Sequence, residues 1–89
     1  MNINIVNEET KKYLQNNTYL NNILKIIINK INEYFDYTNL YLEYFDDQLL
    51  LLIATNYTPK QALEKLWIFD KDWWIDNKND KICIDIIPK

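Results

Sequence analysis

The sequence predicts an α+β fold, in which a long N-terminal helix, a β-hairpin, a second helix and a C-terminal strand build a three-stranded, mainly antiparallel sheet with the helices on one face. Three patterns carry that prediction. Apolar residues recur at spacings of three and four over residues 20–35. Alternating and then unbroken apolar runs flank the polar turn Asp46-Asp47-Gln48. A capping box at Thr58–Gln61 opens a second helical segment ahead of a cleanly alternating C-terminus. With 89 residues, the chain makes one small domain, 1–89.

The opening Asn2-Ile3-Asn4-Ile5-Val6 alternates weakly and offers a fourth strand or an ordered arm. Asn7 is placed to cap a helix, with Glu8 and Glu9 in the first turn, where the helix dipole favours carboxylates. Leu20, Ile23, Leu24, Ile27, Ile28, Ile31, Tyr34 and Phe35 form the apolar stripe. Tyr13 and Leu14 extend it upstream and favour one continuous helix, although Thr18 offers a second start. Ile-rich helices have middling intrinsic propensity, so this one needs a partner surface, and a sheet is the obvious one.

In the hairpin, Leu40, Leu42 and Tyr44 share one face, and Tyr41, Glu43 and Phe45 the other. Leu49 to Thr55 reads as a central strand, buried on both sides. Without Gly, the turn is not expected to be a tight two-residue type I′. Thr58-Pro59-Lys60-Gln61 starts the second helix, with Pro at its first position. Ala62, Leu63, Leu66, Trp67 and Phe69 form its stripe, and Asp70 marks a break or recapping. Asn77 to Lys81 reads as a charged loop, and Ile82 to Ile87 as the last strand, ended by Pro88.

Composition excludes much chemistry. There is no His, Ser, Gly or Arg, and all ten basic residues are Lys against 13 Asp and Glu, a formal charge of −3. Ser-His-Asp catalysis, His-ligated zinc, glycine phosphate loops and guanidinium clamps are therefore closed to this chain. An acidic chain also lacks the electrostatic footprint of a nucleic-acid binder. Lys11, Lys12, Lys25 and Lys30 are offset by Glu8, Glu9 and Glu33. The longest purely apolar run, Leu49–Ala54, is too short to span a bilayer. Residues 1–20 show no apolar block behind a positive start, so no signal peptide is expected. The single cysteine, Cys83, fits a reducing, cytoplasmic setting and reads as a small strand residue.

Three groups remain. Trp67 and Trp74 are seven apart and are assigned to the core; Trp73, about 100° round the helix, is assigned to an exposed rim. Asp70, Asp72, Asp76 and Asp80 start like a calcium loop, but Trp74 and Ile75 stand where an oxygen ligand and Gly belong. Helix capping and a solvated loop account for them, and no metal or cofactor is expected. Finally, Tyr41, Phe45 and Ile87 make the second face of the sheet too apolar to face water, so the first helix or another chain should cover it.

The segments Thr58–Leu66 (with Ala62-Leu63-Glu64-Lys65-Leu66), Phe69-Asp70-Lys71-Asp72-Trp73-Trp74 and Ile82–Ile86 resemble the C-terminal half of small uncharacterised prokaryotic proteins. Those pair an ALEKL helix with an FDxxWW stretch and a closing IDI-type strand. The resemblance spans residues 40–87 and implies no activity. A small acidic chain without catalytic residue types is similar in character to antitoxin or immunity-type neutralising partners. The expectation is a non-enzymatic interaction protein that binds itself or a neutralised partner, not nucleic acid or membrane, through Trp73, Tyr41, Phe45, Asp70 and Asp72. The alternative is a small-ligand or divalent-metal domain using the acidic 70–80 segment.

Overall fold

The computed structural model describes residues 3–89 and shows an α+β layer pair, with helices over one face of a four-stranded mixed sheet. Strand β1 spans Asn4–Ile5, β2 Asn39–Phe45, β3 Gln48–Ala54 and β4 Ile82–Ile87, in the spatial order β1-β2-β3-β4. Helices α1 (Glu8–Gln15) and α2 (Thr18–Tyr34) connect β1 to β2, and α3 (Pro59–Phe69) connects β3 to β4. The expected sheet is corrected twice. There are four strands, and two of the three pairings are parallel: β1 with β2 and β3 with β4. Only the central hairpin is antiparallel. The chain is thus two strand–helix–strand units joined by β2–β3, and each helical connection is long enough for the crossover that parallel neighbours need. Asn2, part of the expected opening strand, lies outside the described residues.

The long first helix is also corrected. It breaks at Asn16–Asn17, where the Asn17 side-chain amide donates to the Tyr13 carbonyl (2.7 Å) and displaces the helical ladder. Thr18 is the first residue of α2 rather than its cap. Asn7 does cap α1: its side-chain oxygen accepts from the Thr10 amide at 2.9 Å. The buried Thr10 hydroxyl in turn accepts from the Tyr44 amide at 2.8 Å, tying the start of α1 to β2. Tyr13 stacks on Tyr44, with ring centroids 4.0 Å apart.

The hairpin turn departs from expectation as well. Phe45 pairs with Gln48, leaving a two-residue turn in which Asp46 and Asp47 have φ of 52° and 62°. Two positive φ values are the signature of type I′. Asp tolerates this region better than most non-Gly residues. Asp47 is further held by Lys81 Nζ at 2.8 Å and by the Tyr44 hydroxyl at 3.3 Å. The Lys81 ammonium keeps the Asp47 carboxyl below its ordinary range, and Asp47 raises the Lys81 pKa in return.

One core lies between the helices and the inner face of the sheet. Leu24, Ile27, Ile28 and Ile31 of α2 and Phe69 and Trp74 beyond meet Leu40 and Leu42 of β2, Leu49, Leu51 and Ile53 of β3, and Ile82 of β4. The capping box at Thr58 forms as expected, with Thr58 Oγ1 accepting from the Gln61 amide and Gln61 Oε1 accepting from the Thr58 amide.

Candidate functional site

No break occurs at Asp70. After Phe69 the helix continues through a π-helical turn, Asp70–Trp74, and a last short turn, Ile75–Asn77. A π turn admits one extra residue and rotates everything beyond it relative to the α-helical phase. Trp67 and Trp74 therefore do not share a face. Trp74 is buried, but Trp67 is 63% exposed, which corrects its assignment to the core. Lys71 Nζ lies 5.2 Å from the Trp67 ring centroid. Trp73 is half-buried, packing on Phe69 (5.8 Å) and Trp74 (6.1 Å), so the expected rim position is only partly realised.

Asp70 and Asp72 are exposed, and Asp72 pairs with its neighbour Lys71 at 3.0 Å. Among the described residues no three His, Cys, Asp or Glu side chains converge as a metal site. Asp70 also borders a shallow groove of about 290 Å³ with Leu66, Trp74, Lys78, Ile82 and Ile84. The five residues expected to form one surface therefore fall into two groups. Trp73, Asp70 and Asp72 belong to the helical layer, while Tyr41 and Phe45 sit on the opposite side of the sheet.

That opposite side of the sheet carries apolar residues among its outward rows. The register places its residues in rows across the strands: Asn39, Ala54 and Ile87; then Asn4, Tyr41, Leu52 and Asp85; then Glu43, Leu50 and Cys83; with Phe45 beside Gln48 at the turn. Strand alternation sends Leu40, Leu42, Leu49, Leu51 and Ile53 into the core and these residues outward. Neither α1 nor α2 covers them, because the whole helical layer packs on the inner face. Leu50 and Leu52 are half-buried only by their neighbours, and Phe45 is 68% exposed. A sheet face left to water normally carries polar residues, whichever way its strands pair. Leu50 and Leu52 were missed as site residues because their unbroken apolar run reads as a strand buried on both sides. Alternating burial within that run appears only once the helices are placed.

The sheet's long open edge has a side chain seated on one of its outward amides. The Lys81 and Ile87 carbonyls accept from Leu49 and Thr55 of the β3 side (2.7 and 3.0 Å), so alternation turns the Ile86 amide outward. Asp85 Oδ1 accepts from that amide at 2.8 Å. A carboxylate seated on an edge N–H discourages strand addition. Cys83 lies on the open face with its thiol exposed, Sγ 3.3 Å from Gln48 Oε1.

No helix among the described residues is long and apolar enough to cross a membrane. No protein-family model matches the chain, and no curated protein or solved structure matches it either.

Proposed function

We propose that this is a non-enzymatic, cytoplasmic interaction protein that binds another polypeptide through the open face of its sheet. The supporting observation is that face itself: Tyr41, Phe45, Leu50, Leu52 and Ile87 lie together on a sheet surface that no helix among the described residues covers. Large exposed apolar patches rimmed by polar residues mark interaction sites. Its aromatic and Leu content, with Glu43 and Asp85 among the apolar rows, fits an apolar patch interrupted by carboxylates. A neutralising role of the antitoxin or immunity kind is the concrete form of this reading, because binding alone suffices for it and the chain has none of the His, Ser, Gly or Arg on which the common triad, zinc and phosphate-loop chemistries depend. The scattered exposed carboxylates of the 70–80 segment favour the metal-binding alternative less.

The expected result in a pull-down from the native host is that wild-type protein retains a specific polypeptide and the double variant Leu50→Lys/Leu52→Lys does not. Leu63→Lys, on the exposed side of α3, retains it. Equal capture by wild type and the sheet-face variant contradicts this function.

A further inference from the structure

We infer that the free edge of β4 is a docking site for an extended cationic peptide segment, which adds to the sheet as a strand centred on Ile84. The site is separate from the open sheet face and uses none of its apolar residues. Main-chain chemistry names the occupant. Parallel pairing with β3 consumes the amides of Cys83, Asp85 and Ile87 and turns those of Ile82, Ile84 and Ile86 outward. Two of these outward amides are satisfied within the chain: Ile82 donates to the Asn79 carbonyl at 3.0 Å, and Ile86 to Asp85 Oδ1 at 2.8 Å. The Ile84 amide has no partner among the described residues, and the carbonyls of Ile82, Ile84 and Ile86 also point away from β3. Asp85 thus closes one end of the edge and the Asn79 turn closes the other. One donor stays open between them, and it fixes the register of an added strand.

The groove of about 290 Å³ lies against that open position, with Leu66 and Trp74 of the helical layer on one side and Ile82 and Ile84 of the strand on the other. An antiparallel peptide residue opposite Ile84 exchanges both main-chain bonds with it, and its side chain shares the inner face of the sheet, beside the groove. An aliphatic side chain suits that place. The peptide amides two residues to either side donate to the Ile82 and Ile86 carbonyls, so four bonds form without displacing Asp85 from the Ile86 amide. The preceding peptide residue then stands opposite Asp85 on the outward face, with Cβ atoms about 5 Å apart. Asp85 is exposed and forms no ion pair among the described residues, so a Lys or Arg at that peptide position meets an uncompensated carboxylate. The formal charge of −3 draws the same kind of segment at longer range. Strand addition beside a side-chain groove is a recurring mode of peptide recognition, in which main-chain bonds supply affinity and the groove supplies selectivity.

Titration of the isotope-labelled full chain with the peptide acetyl-Val-Lys-Leu-Thr-Val-amide, up to about 1 mM and followed by amide correlation spectra, tests the inference. The Ile84 amide signal is expected to shift saturably, and its hydrogen exchange to slow at least about tenfold at saturation, while exchange at Ile86 stays as it was. The same peptide methylated on its Leu nitrogen cannot donate to the Ile84 carbonyl and is expected to bind at least about tenfold more weakly. Replacing the peptide Lys by Glu is expected to weaken binding about fivefold. That difference disappears in Asp85→Asn, which keeps an oxygen for the Ile86 amide but loses the charge. The peptide comparisons use the wild-type protein and decide the matter even if that variant does not fold. No shift at Ile84 with the Lys peptide at about 1 mM overturns the inference, as does equal binding of the methylated peptide. Shifts centred on Leu50 and Leu52 instead of β4 overturn it too. The Leu50→Lys/Leu52→Lys protein is expected to bind the peptide like wild type, so a failure here leaves the proposed use of the open face standing, and the reverse also holds.

Discussion

Leu51→Asn is expected to cost about 3–5 kcal/mol and Leu52→Asn about 1 kcal/mol or less, although the two residues are neighbours on one strand. Leu51 is fully buried on the inner face, against the helical layer. Asn there leaves a cavity and a desolvated amide without partners. Leu52 looks outward in the row of Tyr41 and Asp85, where an amide finds water. A domain of this size has roughly 5–10 kcal/mol of stability in total, so the first substitution removes a large share of it. Urea unfolding followed by tryptophan fluorescence reads the difference directly. Similar costs at both positions contradict the assignment of faces.

Phe69→Ala is the second large effect, expected at about 3–5 kcal/mol. Phe69 is fully buried where α3 gives way to the π turn, and four aromatic rings surround it: Phe35 at 5.2 Å, Tyr34 at 5.4 Å, Trp73 at 5.8 Å and Trp74 at 6.5 Å between centroids. No neighbouring ring can collapse into the space without leaving its own contacts, so the cavity persists. At about 4–8 °C per kcal/mol for a domain of this length, the melting temperature should fall by more than about 12 °C. The near-ultraviolet circular dichroism of Trp73 and Trp74 should fall with it. A shift of only a few degrees contradicts the placement of Phe69 at the centre of the aromatic cluster.

What the sequence made legible follows from local physics. Apolar period located α2, alternation located β2 and β4, and Thr58–Gln61 announced its capping box because that motif is complete within four residues. The excess of apolar side chains on the second sheet face was readable too, from Tyr41, Phe45 and Ile87. The rest depended on information that is not local. Parallel pairing of β1 with β2 and of β4 with β3 is decided by how the helices cross over, which strand patterns do not record. The break at Asn17 turns on one side-chain amide outbidding the ladder for the Tyr13 carbonyl. The π turn at Asp70–Trp74 adds one residue to a helix whose periodicity is otherwise ordinary, which is why Trp67 was misplaced and Phe69 was not. Asp46 and Asp47 adopt a turn usually made with Gly because Tyr44 and Lys81, the latter 34 residues away, hold Asp47 in place. The expected surface split for the same reason. Trp73, Asp70 and Asp72 are close to one another in sequence, but Tyr41 and Phe45 lie across the thickness of the sheet from them.

Thiol chemistry at Cys83 reaches the central claim, an uncovered sheet face, most directly. Cys83 lies on that face and is the only cysteine, so one rate reports on one place. At high dilution, alkylation of the folded protein is predicted to run within about tenfold of the rate in the urea-unfolded chain, as expected for an exposed thiol in a locally open site. A thiol that reacts only through global unfolding, slowed by the full stability of the domain, would show that something in the chain itself covers this face.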